Sequence, residues 1–201
     1  MRYLILIIIS YLLGASPNAY IIARLVRDID IRNYGSGNVG ATNVARILGF
    51  KYGIIVLLLD ILKGFLAVYI AGIFFPQASL PLVLAGVMVI VGHSFSVFIE
   101  FTGGKGVATM VGVILGLYPF AILIFILVWL SVTAGTRYVS LGSILGAFSL
   151  PLVFWVKGYN HYIIFGIFIV LFLIYTHREN IKRLLAGKEN KLGKSSGKSG
   201  K

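Results

Sequence analysis

Residues 107–136 read VATMVGVILGLYPFAILIFILVWLSVTAGT and contain no charged side chain. A spanning helix needs about 20 predominantly apolar residues, so this stretch can form one long helix or two short ones. Pro119 lies near its middle, and a proline removes a backbone hydrogen bond and kinks or breaks a helix. The number of membrane crossings in the chain depends on how this stretch folds.

The rest of the chain has the same apolar character. Of its 201 residues, 59% are hydrophobic and 12% are charged. A soluble domain has about 45–50% apolar and about 25% charged residues. No soluble core of this size can bury so much apolar surface. We therefore expect an all-α fold, a polytopic membrane helix bundle.

The distribution of basic residues predicts how the helices cross the membrane. Lysine and arginine collect in cytoplasmic loops, and the basic residues here follow the first span, the third span and the last span. Two helices in 107–136 give seven spans, with the N-terminus outside and the C-terminus cytoplasmic. One helix gives six spans and places the basic C-terminal segment outside. Charge favours seven, although residues 107–118 are short for a full crossing. The seven predicted spans are 3–23, 53–75, 80–101, 107–118, 119–136, 139–157 and 161–177.

With seven spans, the three most polar segments outside the tail lie on the same, cytoplasmic side of the membrane. These segments are residues 28–43, 102–109 and 176–183. Polar segments that gather on one face of an apolar protein are candidates for a single functional site.

The first polar motif, residues 35–46, reads GSGNVGATNVAR. Its glycines match the dinucleotide-binding pattern G-x-G-x-x-G, but that pattern requires a preceding strand, and this segment follows a membrane helix. Closely spaced glycines still let backbone N–H groups approach an anion, and Arg46 adds a bidentate phosphate donor. The alternative is a flexible glycine loop that only joins two helices.

The second motif, residues 102–109, reads TGGKGVAT. It is not a phosphate-binding P-loop, because Ile99 and Gly106 stand where that motif needs glycine and serine or threonine. Glycines around Lys105 at a helix N-terminus nevertheless suit an anion. The alternative is that Lys105 merely marks the cytoplasmic boundary.

The third motif, residues 175–184, reads YTHRENIKRL. Residues three apart on a helix share a face, so His177 and Asn180 are expected to point together at the mouth of the last span. The alternative is a basic amphipathic helix end that lies on anionic lipid.

Several other polar and small residues have structural interpretations. Asp60 and Lys63 are three residues apart in the second span and are expected to pair with each other, since intramembrane charges are paired or functional. His93 and Glu100 either orient the site or pack against neighbouring helices. The pairs Gly112/Gly116 and Gly142/Gly146 are expected to pack helices closely.

Some chemistry is disfavoured by what the sequence lacks. The chain has no cysteine, so thiol nucleophiles and thiolate metal ligands are excluded. No acidic cluster offers a metal site, and neither a metal nor another cofactor is expected. No histidine is followed by an acid five residues on, which argues against acyltransferases that use His-x₄-Asp and thioester donors.

Together, the three motifs closely resemble the bacterial membrane acyl-phosphate:glycerol-3-phosphate acyltransferases, the PlsY family. The resemblance covers nearly the whole chain, from the first span to the C-terminal helix. It implies transfer of a fatty acyl group from acyl phosphate to the 1-hydroxyl of glycerol 3-phosphate, giving lysophosphatidic acid and phosphate. It also implies a multi-pass protein of the bacterial inner membrane whose site faces the cytoplasm.

Residue roles follow from this reaction. Acyl phosphate is already activated, so direct attack by the glycerol hydroxyl needs positioning and charge stabilisation rather than an enzyme nucleophile. The expected catalytic residues are His177 as general base, Asn180 and Lys105, although a substrate phosphate oxygen is an alternative base. The expected substrate-binding residues are Ser36, Gly37, Asn38, Asn43, Arg46, Gly104, Lys105, Thr109, Ser143 and Arg178.

The expected partners are glycerol 3-phosphate, acyl phosphate and membrane lipids, with neither nucleic acid nor an obligate protein partner. A transporter of an organic phosphate is the competing class, but it would continue its polar residues across the bilayer. Residues 1–186 are expected to form the transmembrane acyltransferase domain. Residues 187–201 are expected to be a flexible basic tail, which we exclude from functional reasoning because expression vectors also leave tails of this composition.

Overall fold

The computed structural model describes residues 1–76 and 78–192, and α-helices joined by loops and short 3₁₀ turns make up this part of the chain. Its secondary structure apart from helices is one isolated bridge between Ser96 and Thr102. The α-helices of the described residues are α1 (Arg2–Ala15), α2 (Asn18–Arg27), α3 (Ala41–Leu48), α4 (Phe50–Phe74), α5 (Ser79–Ser94), α6 (Val107–Leu117), α7 (Phe120–Thr136), α8 (Val139–Val156), α9 (Asn160–Thr176) and α10 (Arg178–Leu185).

Three helical segments are long and apolar enough to cross a membrane: Arg2–Arg27, Phe50–Phe74 and Val139–Val156. A fourth exists if α9 and α10, which meet at an angle of 63°, are counted as one span. Helices α5, α6 and α7 are apolar but shorter. The prediction of an all-helical membrane protein agrees with this, and each predicted span contains a helix.

The stretch 107–136 forms two helices, the alternative that the distribution of basic residues favoured. Helix α6 ends at Leu117 and α7 begins at Phe120, with Pro119 at the N-cap of α7. A proline is suited to the start of a helix because its missing N–H has no intrahelical partner there.

Two predicted spans differ in detail from the structure. The first is interrupted at Ser16 and Pro17, between α1 and α2. The third was expected to reach residue 101, but α5 ends at Ser94. The chain then turns, because Ser96 accepts a hydrogen bond from the Phe98 N–H and its carbonyl accepts one from the Phe101 N–H at 2.8 Å. These bonds satisfy the backbone without a helix. Glu100 consequently lies in an exposed turn with a left-handed backbone (φ 59°).

The described chain divides into two compact units, Met1–Gly116 and Leu117–Lys194, the second described as far as residue 192. In the first unit, α1 packs against α5, and α4 packs against α3, α5 and α6. Gly112 of α6 lies against the backbone of Ile61 on α4, and Gly116 lies against Val68. Gly64 of α4 in turn faces the carbonyl of Thr109 on α6. The prediction that Gly112 and Gly116 pack helices is confirmed.

In the second unit, α8 packs between α7 and α9. Gly142 lies against Trp129 and Gly146 against Phe125, so this glycine pair also packs helices as predicted. Such contacts let two backbones approach more closely than larger side chains allow.

We expect Gly112→Ala to destabilise the first unit by about 1–3 kcal/mol, the usual cost of overpacking. The added methyl would collide with the Ile61 carbonyl, which is backbone and cannot turn aside. Gly72→Ala on α4 is the matched control, because nothing lies within 4 Å of a methyl there. Thermal unfolding in detergent measures the stability of both variants. Equal unfolding temperatures would contradict the close packing of α6 on α4 at Gly112.

Candidate active site

Two glycines shape the first motif. Gly35 (φ 62°) and Gly37 (φ 71°) adopt left-handed backbone conformations that only glycine takes without strain. The loop is anchored beneath by an apolar cluster that includes Ile31, Val39 and Val44, all buried. The motif is therefore a shaped and anchored loop, which argues against a flexible linker.

The side chain of Asn43 closes this loop. Its Oδ1 accepts a hydrogen bond from the Ser36 N–H at 2.9 Å, and its Nδ2 donates to the carbonyl of Tyr34 at 2.9 Å and to that of Ile31 at 3.4 Å. Asn43 is 1% exposed. It was predicted to bind substrate, but the structure places it where it fixes the shape of the loop. Ser36 is exposed, and Gly37 and Asn38 are half-buried.

Most cations near this loop already have partners. Arg24 pairs with Asp28 at 3.4 Å. Arg32 pairs with Asp30 at 2.8 Å and with Glu100 at 3.2 Å. These hydrogen bonds from Arg32 hold the pKa of Asp30 below its usual value.

Arg46 is different from these cations. It is half-buried on α3, and among residues 1–76 and 78–192 nothing forms a hydrogen bond, ion pair or ring contact with its guanidinium group. Arg46, the residue of the first motif that is predicted to bind phosphate, therefore keeps the hydrogen-bonding capacity of its guanidinium.

The second motif forms a tight turn that leads into α6. Gly104 donates its backbone N–H to the carbonyl of His93 at 3.2 Å, and Gly106 has φ 87°. Lys105, between them, is half-buried. Thr109 in the first turn of α6 is fully buried, and its hydroxyl has no hydrogen-bond partner among the described residues.

The first and second motifs meet in this unit. A side chain at Gly104 would collide with the imidazole of His93 and with the carbonyl of Val39. The glycine therefore permits close contact between the two loops. The structure brings Gly104, Lys105 and the loop that precedes Arg46 into one region of the first unit.

The predicted pairing of Asp60 with Lys63 is confirmed, with Nζ and Oδ1 3.0 Å apart. The pair also includes His93, whose Nδ1 lies 3.6 Å from the same oxygen. All three side chains are buried.

In the second unit, His177 lies at the bend between α9 and α10 and is 2% exposed. Its Nδ1 lies 2.9 Å from the Leu173 carbonyl, which also accepts its backbone N–H. Because a carbonyl only accepts, Nδ1 carries the hydrogen, and Nε2 is the basic nitrogen of the neutral ring. In this tautomer Nε2 is the nitrogen that can accept a proton.

Glu189, which contacts the predicted catalytic residue Asn180, is a residue that sequence reasoning missed. One carboxylate oxygen accepts hydrogen bonds from Asn180 at 2.6 Å and from Ser140 at 3.0 Å, and the other pairs with Arg183 at 2.8 Å. Glu189 belongs to the segment that was predicted to be a flexible tail from residue 187. A lone acid whose four nearest neighbours are Gly187, Lys188, Asn190 and Lys191 gives no periodic signal in the sequence.

The tail prediction therefore differs from the structure up to residue 192. The backbone N–H of Leu192 donates a hydrogen bond to the carbonyl of Arg137 at 2.8 Å, and the guanidinium of Arg137 donates one to the carbonyl of Leu192 at 2.9 Å. Residues 193–201 of the predicted tail lie outside the described residues.

Two further predicted binding residues belong to the second unit. Ser143 is buried and donates its hydroxyl to the carbonyl of Val139 at 2.9 Å. Arg178 is exposed, and its guanidinium lies 4.7 Å from the ring of Tyr175. Arg178 is therefore exposed, whereas His177 and Asn180 are buried.

The described residues combine glycine loops, buried amides and basic side chains on an apolar helical scaffold. This combination is typical of a membrane protein that binds anionic groups. The described residues hold no group of three or more His, Asp or Glu side chains suited to a metal ion.

Comparisons with known proteins identify the class. The family model for glycerol-3-phosphate acyltransferase matches residues 4–187. The chain is 46% identical over 192 residues to a glycerol-3-phosphate acyltransferase of Thermoanaerobacter sp. (strain X514), covering 94% of this chain and 95% of the relative. It is 47% identical over 192 residues to that of Aquifex aeolicus (strain VF5), covering 95% of this chain and 100% of the relative.

Solved structures agree. The crystal structure of PlsY (YgiH), an integral membrane glycerol 3-phosphate acyltransferase, in its glycerol 3-phosphate form has a TM-score of 0.90, 45% identity and coverage of 96% of both chains. Its lysophosphatidic acid form has a TM-score of 0.88, 44% identity and the same coverage. The chain belongs to the glycerol-3-phosphate acyltransferase family. It is an integral membrane acyltransferase, and the transporter alternative is set aside.

We expect Glu189→Ala to lower the free energy of unfolding by on the order of 3 kcal/mol, because it leaves buried hydrogen-bond donors and a charge without their acceptor. Glu179→Ala is the matched control: Glu179 lies on the exposed side of α10, where a hydrogen bond from Lys182 lowers its pKa. Thermal unfolding of the two variants measures the difference. Equal stability would show that the Glu189 carboxylate does not hold this segment.

Proposed function

We propose that the protein transfers a fatty acyl group from acyl phosphate to the 1-hydroxyl of glycerol 3-phosphate, giving lysophosphatidic acid and inorganic phosphate, in bacterial phospholipid synthesis. The observation that carries this proposal lies in the first unit, where the Arg46 guanidinium keeps its hydrogen-bonding capacity and Gly104, the residue before Lys105, lies against the carbonyl of Val39 in the first motif. The glycerol 3-phosphate and lysophosphatidic acid forms of the PlsY structures support the substrate and product.

The first unit binds phosphate in this proposal. A substrate phosphate carries about one to two negative charges near neutral pH, which Arg46 and Lys105 neutralise. The backbone around Gly37 and Gly104 and the side chains of Ser36 and Asn38 supply further hydrogen bonds. Thr109, whose buried hydroxyl has no partner among the described residues, is available to the same anion.

The second unit supplies acid–base groups. His177 takes the proton of the glycerol 1-hydroxyl on Nε2 as the oxygen attacks the acyl carbonyl carbon. The bond between that carbon and the phosphate oxygen then breaks, and phosphate leaves with the electron pair. Asn180, held by Glu189, orients the reacting groups together with Ser143 and Arg178. In the competing version a phosphate oxygen takes the proton and His177 only orients the hydroxyl.

The finer membrane topology is also part of the proposal. Seven spans, an outer N-terminus and a cytoplasmic C-terminus follow from the distribution of basic residues. In this topology all three motifs reach the cytoplasmic side of the bacterial inner membrane, where glycerol 3-phosphate is soluble and an amphipathic acyl phosphate can enter from the lipid. Residues 1–186 form the catalytic domain.

Donor choice can be measured directly. We expect purified protein with glycerol 3-phosphate and palmitoyl phosphate to release phosphate and form lysophosphatidic acid in equal amounts. Palmitoyl-CoA in a parallel reaction should give neither product, because the chain lacks the His-x₄-Asp pattern of thioester-dependent acyltransferases. Product formation from palmitoyl-CoA alone would overturn the donor assignment.

Substitutions separate the roles of the two units. We expect His177→Ala to lower kcat by about 100-fold or more, the usual contribution of a general base. Lys105→Ala is expected to raise KM for glycerol 3-phosphate by about 10-fold or more, the loss of a charge-assisted hydrogen bond.

The matched controls for these variants are His161→Ala and Lys51→Ala, which change exposed side chains of the same types. Both should keep the activity of the unsubstituted protein. Normal turnover by His177→Ala would leave the substrate phosphate as the base, and an unchanged KM for Lys105→Ala would remove this lysine from the phosphate site.

A further inference from the structure

The mechanism above leaves three buried ionisable side chains of the first unit unused. Asp60 and Lys63 lie on α4, His93 lies in the last turn of α5, and they are 2%, 4% and 8% exposed. Replacing a buried ion pair by apolar residues is often neutral or stabilising, so stability alone gives no reason for such a cluster inside an apolar bundle. Intramembrane charges are more often functional.

The Asp60 carboxylate collects contacts from three helices. Its Oδ1 accepts a hydrogen bond from Asn18 of α2 at 2.9 Å, pairs with Lys63 at 3.0 Å and lies 3.6 Å from Nδ1 of His93. Lys63 also donates to the carbonyl of Ser16 at 3.0 Å, at the break between α1 and α2. The imidazole of His93 is thus oriented from its Nδ1 side by a carboxylate that is itself fixed.

The opposite edge of the same imidazole faces the second motif. A side chain on Gly104 would meet Nε2 of His93 first, so this nitrogen is the atom that lies closest to the missing side chain. The backbone carbonyl of His93 accepts the N–H of Gly104 at 3.2 Å and also faces Gly103. Because both glycines lie against the end of α5, a larger residue would collide there whether or not a ligand is bound.

Gly104 immediately precedes Lys105. A shift of the His93 ring or carbonyl would move the Gly104 peptide and, through it, the backbone that carries the lysine. A displacement of about 1 Å is enough to impair a positioned group. The cluster therefore controls where Lys105 stands without touching a ligand.

We propose that Asp60, Lys63 and His93 form a positioning relay that sets the Gly103–Gly104 turn and, through it, Lys105. His93 is the residue that contacts the turn, and the ion pair fixes His93. The proposal rests on the proposed role of Lys105 in binding the phosphate of glycerol 3-phosphate, and it adds residues of α4 and α5 that contribute to that binding from inside the bundle.

Two substitutions of His93 separate its two edges. Glutamine places an amide group near the position of Nε2, next to the turn, whereas asparagine reaches only the level of Nδ1, next to Asp60. We expect His93→Asn to raise KM for glycerol 3-phosphate about 10-fold, comparable to a lost charge-assisted hydrogen bond, with kcat changed less than about 3-fold. His93→Gln should restore KM to within about 3-fold.

A packing control distinguishes positioning from general loss of stability. Val89→Ala removes buried side-chain volume one turn earlier on α5, where the helix packs against Gly14 of α1. It should lower the unfolding temperature and leave KM unchanged. A KM for Val89→Ala raised as much as that of His93→Asn would overturn the relay.

Coupling to Lys105 is the decisive measurement. Effects that act through one group are not additive, so His93→Asn should change KM less than about 2-fold in a Lys105→Ala background. Fully additive effects on KM would overturn the proposal. If His93→Asn does not fold, the neutral pair Asp60→Asn/Lys63→Met serves in its place. It leaves the imidazole of His93 intact and removes the ion pair that fixes it, together with the Lys63 hydrogen bond to Ser16, and it too should raise KM only while Lys105 is present.

The relay can fail independently of the proposed reaction. Turnover of palmitoyl phosphate by the unsubstituted protein tests the reaction alone. Stabilisation against heat by added glycerol 3-phosphate tests binding alone, and it should need about 10-fold more ligand in His93→Asn. Turnover with identical ligand dependence in both proteins would remove the relay and leave the reaction in place.

Discussion

The arrangement of the polar groups inside the first unit depends on the carboxylate of Asp60. One oxygen holds Asn18 of α2 and Lys63 of α4 and faces His93 at the end of α5. The same lysine satisfies the carbonyl of Ser16, which the break before Pro17 exposes. In an apolar bundle each of these polar groups would be costly alone. Because each satisfies another, the helix break, the end of α5 and the turn that follows it are fixed together.

Close backbone packing is the second condition for this arrangement. Gly64 and Gly112 bring α4 and α6 into contact, and Gly104 lets the second motif lie on His93. The sequence predicted the packing role of Gly112 and Gly116 from their spacing, and it predicted the helices from apolar length. It predicted the break at Pro119 for the same reason that the structure has it. The end of α1 was not predictable, since hydrogen bonds from Ser96 and Lys63 to the distant carbonyls of Ala15 and Ser16 stabilise it. The end of α5 was missed because the turn after it satisfies its own backbone, with Ser96 accepting hydrogen bonds from the N–H groups of Phe98 and Phe101.

The sequence predicted those candidate site residues whose type alone suggests a chemical role. The sequence predicts an anion site from its closely spaced glycines with Arg46 and Lys105, and it predicts a general base from His177. Asn43 and Glu189 do not, because their importance lies in which backbone and side-chain groups they satisfy. Asn43 is occupied with the loop it closes, and Glu189 holds Asn180 from a segment whose composition resembles a linker. Sequence motifs thus mark the groups proposed to contact substrate, while the groups that hold them in place appear only in the three-dimensional structure.

Arg46 has a consequence for the end of the reaction. A half-buried guanidinium without an acidic neighbour among the described residues gives the empty loop an excess of positive charge. In the proposed reaction that excess attracts the departing orthophosphate by the same bonds as the incoming substrate. If Arg46 binds phosphate as proposed, we expect inorganic phosphate to act as a product inhibitor. The cellular phosphate level would then limit how fast the first acyl chain is attached, even when donor and acceptor are plentiful.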